Sequence, residues 1–138
     1  MTRFLALCGE QREEDGVFTA PFRPESYAVL HDPSFAGPGI PPYLVVEAMA
    51  QHACRASSAV LFDGRRTVPA QVSDLGLAPV PEGRRYRLVA TVGGRGQFGS
   101  VRCELIDPDG AVVASGHFTT SAIEPRPAAA PDQAGVAA

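Results

Sequence analysis

The sequence contains no lysine, so its positive charges are arginines alone. Twelve arginines stand against fifteen acidic residues, which gives a formal net charge of −3 over 138 residues. A nucleic-acid-binding domain normally carries a basic surface, and this balance does not indicate one. The length suits a single domain with a core of its own.

The sequence also lacks closely spaced cysteines and histidines. The three cysteines are Cys8, Cys54 and Cys103, and the three histidines are His31, His52 and His117. An odd number of distant cysteines without a C-x-x-C pair argues against a disulfide framework and against a thiolate metal site. Neither a metal-binding histidine spacing nor a glycine-rich phosphate loop is present, and we expect no metal and no cofactor.

Long apolar runs are absent as well. The longest one, before Glu47, is too short to span a membrane. The apolar stretch over residues 4–8 is too short for the core of a signal peptide and is followed by Glu10 and Glu13. We therefore expect a cytoplasmic protein.

What the sequence does contain is an order of elements typical of an α+β domain. Short strands are predicted over 4–8 and 17–20, joined by a polar hairpin connection over 9–16. Four further strand signals occupy 68–75, 86–92, 98–106 and 112–120, with turns at Gly93 to Gly96 and Asp107 to Gly110. Residues 124–138 are rich in proline and alanine and are predicted to be a disordered tail, which leaves 1–123 as one domain.

One helix lies between the two groups of strands. Pro41 and Pro42 suit its first turn, and Asp63-Gly64 ends it, so the helix is predicted over about 41–61. From Tyr43 to Ala50 every residue except Glu47 is apolar, which predicts a buried helix with one carboxylate in its interior. Such a carboxylate either pairs with an arginine or has a raised pKa suited to proton transfer. Gln51, four residues on, lies on the same face.

The segment Ile40 to Gln51, which reads IPPYLVVEAMAQ, resembles the central-helix signature of the FabZ/FabA-type 3-hydroxyacyl-carrier-protein dehydratases, M-P-G-x-L-x-x-E-A-M-A-Q. The resemblance implies a hotdog fold, in which one long central helix is wrapped by a curved antiparallel sheet of five to six strands. It also implies dimers. The substrate would be a 3-hydroxyacyl thioester on an acyl carrier protein, in fatty-acid, polyene or polyketide biosynthesis.

The resemblance assigns the catalytic carboxylate to Glu47. An imidazole normally acts with it, and His31 is the nearest candidate, although ungapped counting places the family histidine on Pro33. The family glycine that offers an N–H to the thioester carbonyl aligns with Pro42, which has none, so the N–H of Tyr43 is the nearest replacement. Substrate-binding residues are then Tyr43, Gln51, Phe35 and Pro41. Leu44, Met49 and Phe35 either line an acyl tunnel or belong to the core.

A chain that has the carboxylate but lacks the usual histidine segment can share an active site with a partner subunit that supplies the histidine. Divergent dehydratase subunits of the ApeP type, paired with ApeI, look similar in this respect. We therefore predict half of a heterodimeric dehydratase. Acidic carrier proteins would be steered by arginines, with Arg84, Arg85 and Arg87 as one cluster and Arg65 and Arg66 as another. The alternatives are a non-catalytic hotdog subunit and an acyl thioesterase that uses Glu47 as base or nucleophile.

Overall fold

The computed structural model describes residues 6–26 and 39–123, without the side chains of Ser26 and Arg95. The elements are six strands and one long helix, with a short 3-10 turn at Pro24–Ser26. In chain order they are β1 (Arg12–Glu14), β2 (Val17–Pro21), α1 (Pro42–Leu61), β3 (Thr67–Leu77), β4 (Arg87–Arg95), β5 (Phe98–Ile106) and β6 (Val112–Ala122). The predicted tail over 124–138 lies outside the described residues.

All strands form one antiparallel sheet in the order β1-β2-β4-β5-β6-β3. The predicted α+β architecture, one long helix on an antiparallel sheet, is confirmed. The first strand differs from the prediction: Cys8 makes only an isolated bridge to Phe22, and β1 lies inside the segment predicted as a hairpin connection. The polar sequence of β1 gave no strand signal, because its three residues are all exposed.

The glycines before Arg95 do not form the predicted loop. Strand β4 continues through Gly93 and Gly94 to Arg95, and the turn to β5 is Gly96-Gln97. A Cβ atom on Gly94 would lie 2.6 Å from the carbonyl oxygen of Phe98. Gly94 therefore serves the close approach of two strands instead of a loop.

Helix α1 packs across the sheet, and its buried side forms the centre of the core. Its start is fixed by Gly39, which has a φ of +82° and whose neighbour Ile40 donates its N–H to the Val80 oxygen at 2.8 Å. Its end is closed by Gly64, whose N–H bonds to the Ser58 oxygen at 2.9 Å. The helix faces large buried side chains of the sheet. These are Phe18, Leu88, Val101, Leu105 and Phe118.

His52 is fully buried on the core side of α1 and ties the helix to β2. Its Nε2 lies 2.9 Å from the Phe18 carbonyl oxygen, which can only accept, so Nε2 carries the proton. Its Nδ1 then accepts from the Gln11 side-chain amide at 3.0 Å. Burial lowers the pKa of His52; the hydrogen bond to the Phe18 carbonyl partly opposes this, and the positive charge of Arg55 adds a smaller lowering effect. His52 is therefore a neutral structural residue.

Acidification should destabilise the protein through His52. The unfolded chain binds a proton at this residue below a pH of about 6.5, whereas the native state resists protonation. As the pH is lowered below that point, the free energy of unfolding therefore decreases by up to about 1.4 kcal/mol per pH unit. We expect the melting temperature to drop between pH 7.5 and 5.5. The His52→Gln variant should show a flatter profile than the wild type. An unchanged slope in His52→Gln would contradict this assignment.

Candidate functional site

Three polar side chains form a stripe along the open side of α1. Glu47, Gln51 and Arg55 follow one another at intervals of four residues, so they share one helix face. The expectation that Glu47 lies in the interior is wrong for the single chain, because its side chain is exposed. The sheet covers only part of the helix surface, and an apolar sequence on all sides could not reveal which part. None of the ion pairs among the described residues includes Glu47.

Gln51 holds the Glu47 carboxylate. Its Oε1 accepts the backbone N–H of Leu7 at 3.1 Å, which orients its amide so that Nε2 donates to Glu47 Oε2 at 3.3 Å. The predicted contact between Glu47 and Gln51 is thus present. A backbone group 44 residues away in sequence determines its direction.

Residues 6–9 run beside this stripe and form one wall of a groove. The Cys8 thiol donates to the Ala48 carbonyl oxygen at 3.3 Å, and Arg55 Nη1 donates to the Gly9 oxygen at 3.1 Å. The segment is itself held to the chain after β2, where Gly9 N–H bonds to Pro21 O and Arg23 N–H to Leu7 O. The wall is therefore fixed from both sides.

The opposite wall is the beginning of β3. The groove has a volume of about 440 Å³. It is lined by Ala6, Cys8, Glu47, Ala50, Gln51, Cys54, Arg55, Arg66, Thr67, Val68 and Pro69. Glu47 is its only carboxylate among the described residues, and the remaining surface is mostly apolar. We call this cavity the Glu47 groove.

Two thiols face the Glu47 groove, and neither is a ready nucleophile. Burial raises the pKa of both Cys8 and Cys54 to about 11. For Cys8, the positive charge of Arg55 partly opposes this rise. Because the thiolate is the reactive form, both groups stay protonated at neutral pH. They contribute a small apolar surface to the groove.

The predicted substrate-binding residues at the start of α1 have different surroundings. Pro41 is buried, and its carbonyl oxygen accepts the N–H of Leu44 at 3.0 Å. Tyr43 is half exposed on the side of the helix that carries Glu47, one turn before it. Leu44 and Met49 are core residues, 3% and 0% exposed, which decides against a role in lining the Glu47 groove.

No imidazole lines the groove within residues 6–26 and 39–123. His52 points into the core, and His117 on β6 is hydrogen-bonded to Ser100 Oγ at 2.6 Å. His31 and Phe35, predicted as catalytic and substrate-binding residues, lie outside the described residues. Their roles stay predictions.

The first predicted carrier-docking cluster, Arg84, Arg85 and Arg87, does not line the Glu47 groove, whereas Arg66 of the second cluster does. Arg84 is bound to Asp109 at 2.9 Å and lies 3.8 Å from Asp107. Arg85 and Arg87 line a separate cavity of about 730 Å³ together with Thr19 and other residues. Phe18 and Ala20 of β2 point toward the helix, so Thr19 and this cavity belong to the other face of the sheet.

Arg55, Arg66 and Cys8 line the groove, although the sequence predicted none of them for the substrate pocket itself. The helical spacing of Arg55 from Gln51 and Glu47 was a usable signal. Arg66 was predicted only as part of a carrier-steering pair with Arg65, and Cys8 was given no role at the site. Both reach the groove through long-range packing of β3 and of residues 6–9 on α1, which no local pattern specifies.

Other kinds of site find little support. Within the described part of the chain, no cluster of histidine, cysteine, aspartate and glutamate could hold a metal ion. The same residues include no helix that is both long and apolar enough to cross a membrane.

Comparisons by sequence give no relative. No protein-family model matches the chain. No curated protein matches its sequence significantly either.

Comparisons by structure give many similar folds. A thioesterase superfamily protein from Shewanella loihica is 22% identical with a TM-score of 0.63, over 83% of this chain and 90% of that one. The dehydratase heterocomplex ApeI:P from Xenorhabdus doucetiae contains a chain 15% identical, with a TM-score of 0.66 over 87% and 84% of the two chains. The BH2602 protein from Bacillus halodurans, solved with CoA, is 20% identical, with a TM-score of 0.64 over 85% and 75%. At these identities the likeness concerns the fold: this chain has the hotdog fold, shared with thioesterase superfamily proteins and with a dehydratase complex.

Proposed function

We propose that the chain is a subunit of a hotdog enzyme acting on acyl thioesters, with Glu47 as its acid–base group. The observation that carries this proposal is the Glu47 groove, in which one carboxylate, oriented by Gln51, faces a mostly apolar cavity. A carboxyl group positioned in this way can transfer a proton to or from a bound substrate. The solved neighbours include thioesterases, a dehydratase complex and a CoA-bound protein, which supports a thioester as substrate.

The reaction we favour is dehydration of a 3-hydroxyacyl thioester. A base removes a proton from C2, Glu47 in its acid form protonates the C3 hydroxyl, the C3–O bond breaks with loss of water, and the C2=C3 double bond forms. The E-A-M-A-Q sequence around Glu47 favours this reaction. The base is then His31 or a histidine from a second subunit.

A second subunit is supported by the position of the groove. Its wall at Thr67, Val68 and Pro69 belongs to β3, which is the last strand of the sheet and pairs on one side only, with β6. A partner seated along β3 would therefore border the site. The partner is either a second copy or, as in the ApeI:P complex, a different hotdog subunit.

Hydrolysis of the thioester is the second candidate. The described lining of the groove offers one carboxylate and no imidazole, and hydrolysis needs only one base, with Glu47 taking a proton from the attacking water. Thioesterases are also among the solved neighbours.

Product analysis separates the candidates. The purified chain, alone and mixed with a histidine-bearing hotdog subunit, is given a 3-hydroxyacyl carrier protein, and the products are read by mass spectrometry. We expect an enoyl product from the mixture, and an enoyl product from the chain alone would make it a complete dehydratase. A free acid would establish hydrolysis instead. If neither preparation turns over, the chain is a non-catalytic subunit and the proposal fails.

A further inference from the structure

Two polar contacts join one wall of the Glu47 groove to the turn of α1 that carries Glu47. The backbone N–H of Leu7 donates to Gln51 Oε1 at 3.1 Å, and the Cys8 thiol donates to the Ala48 carbonyl oxygen at 3.3 Å. Ala48 follows Glu47 directly in the helix, and Gln51 lies about one turn after it. The partners are 44 and 40 residues apart in sequence, so only the tertiary fold brings them beside the carboxylate.

Residues 7–9 do not need these contacts to hold their place in the fold. The side chain of Leu7 is fully buried in the core. Two backbone hydrogen bonds hold the segment on the chain after β2, from Gly9 N–H to Pro21 O at 2.8 Å and from Arg23 N–H to Leu7 O at 2.7 Å. A Cβ atom on Gly9 would lie 2.5 Å from the Pro21 ring, so the two segments are in close contact. The segment is therefore a fixed support beside α1.

The Cys8 thiol contacts the helix backbone next to Glu47 as well as the side chain of Gln51. Besides its bond to the Ala48 oxygen, its sulfur lies 4.0 Å from Gln51 Oε1. Burial raises the pKa of Cys8 to about 11, so the thiol keeps its proton at neutral pH and stays a donor. Because Leu7 N–H and the thiol both face Gln51 Oε1, the amide nitrogen is directed to Glu47 Oε2 at 3.3 Å.

We propose that Cys8 is a positioning residue for Glu47. It fixes the amide of Gln51 against residues 7–9, and Gln51 in turn fixes the carboxylate in the groove. The inference rests on the proposed function, because only a reaction at Glu47 gives the position of its carboxylate a consequence. A group that transfers a proton must lie within hydrogen-bond distance of the reacting atom, and a displacement of about 1 Å can cost about 100-fold in rate. Cys8 itself transfers no proton and forms no bond with the substrate.

The first test is kinetic and uses the full chain in its active assembly. Cys8→Ala removes both contacts of the thiol, and we expect kcat to fall about tenfold with KM unchanged, because the loss concerns the position of the acid–base group and not binding. Cys8→Ser keeps a donor for the Ala48 oxygen and should retain most of the wild-type kcat. Cys8→Val fills the space without a donor and should lose as much as Cys8→Ala, so the test does not depend on the folding of one variant. A higher KM with the same kcat would overturn the proposal, because Cys8 would then be only part of the groove surface.

Cys54→Ala is the matched control. Cys54 is a second buried cysteine in the lining of the Glu47 groove, and none of the hydrogen bonds found in the described part of the chain involves its thiol. The control should keep the wild-type kcat. An equal loss of kcat in Cys54→Ala and Cys8→Ala would overturn the proposal, since it would assign the effect to packing in the groove and not to the link with Gln51.

A spectroscopic test does not depend on turnover. The sequence contains no asparagine and five glutamines, so the side-chain amide region of a proton–nitrogen correlation spectrum holds five pairs of signals. The pair that disappears in Gln51→Met belongs to Gln51. Its heteronuclear NOE should be close to that of the ordered backbone in the wild type and in Cys8→Ser, and should fall to the values of mobile side chains in Cys8→Ala. An unchanged NOE in Cys8→Ala would overturn the proposal.

The two tests separate this inference from the proposed function. If the wild-type assembly turns over no thioester, the proposed function fails, and the amide signal alone decides whether Cys8 fixes Gln51: a lower NOE in Cys8→Ala supports the link, and an unchanged one refutes it. If Cys8→Ala frees the amide and leaves kcat unchanged, the proposed function stands and the positioning role is refuted.

Discussion

Replacing Glu47 by glutamine is expected to reduce turnover of the thioester substrate by about 10²- to 10⁴-fold, the usual contribution of a positioned acid or base. The substitution removes the exchangeable proton and keeps the size of the side chain. The new amide oxygen can still accept the hydrogen bond that Gln51 Nε2 now gives to Glu47 Oε2. Steady-state kinetics on the active assembly, alone or with its partner, measures the effect.

Stability provides the internal check on that result. Glu47 is exposed in the chain and takes part in no ion pair within the described residues, so Glu47→Gln should change the free energy of unfolding by no more than about 0.5 kcal/mol. Glu82→Gln, an exposed carboxylate in the loop between β3 and β4, is the matched control and should keep full activity. Unchanged activity of Glu47→Gln in every complex would assign the chain a structural role.

Glu47→Asp refines the interpretation. Aspartate keeps the acid but withdraws it by one methylene from the groove and from Gln51. Since displacement of a catalytic group by about 1 Å can cost about 100-fold, the aspartate variant should retain a small part of the activity lost in the glutamine variant. Equal loss in both would indicate that position matters as much as proton transfer.

The elements that local sequence could predict are those with local signals. The helix, predicted over about 41–61 and observed over Pro42–Leu61, is bounded by a proline pair and by Asp63-Gly64. Strand β5 coincides with its prediction because turns flank it on both sides. Strand β4 was predicted too short because glycines signal turns by default, and only the packing of β5 shows that they are extended here.

The site was predictable in its centre and not at its edges. Glu47 and Gln51 follow from helical spacing, and their contact is present. The exposure of Glu47 does not follow, because it depends on how far the sheet wraps the helix. Helical spacing also does not predict that Cys8, Arg55 and Arg66 line one groove, because this requires segments on both sides of α1 to meet there. The histidine assignment at His31 remains a prediction.

The edge strand β3 leads to the second large expected effect. Four of its apolar side chains are 37 to 44% exposed: Val68, Val72, Leu75 and Leu77. Strand β3 spans eleven residues, eight of which pair with β6 across two bulges, and no described strand pairs with its other side, which leaves the outer backbone groups available for another strand. An edge of this length and composition is normally covered, and we expect a second hotdog subunit to cover it.

Charges placed on this edge should separate the subunits. The double variant Val72→Lys/Leu77→Lys leaves the described lining of the Glu47 groove unchanged, since neither residue belongs to it. Lysines on an edge strand oppose pairing with another strand. We expect gel filtration with light scattering to show a shift from dimer to monomer, and activity to fall at least about 100-fold if a partner supplies part of the site, as a lost acid or base would cost.

The matched control is Val112→Lys, which places the same charge on a valine that is 50% exposed at the start of β6 and not on the outer edge of β3. It should leave both the association state and the activity unchanged. Circular dichroism and thermal melting of the double variant must show a folded chain, because the argument concerns association and not folding. A fully active monomer, of the wild type or of the double variant, would show that the groove is complete within one subunit, and the base would then have to come from this chain. A double variant that still forms a dimer would refute the edge of β3 as the contact.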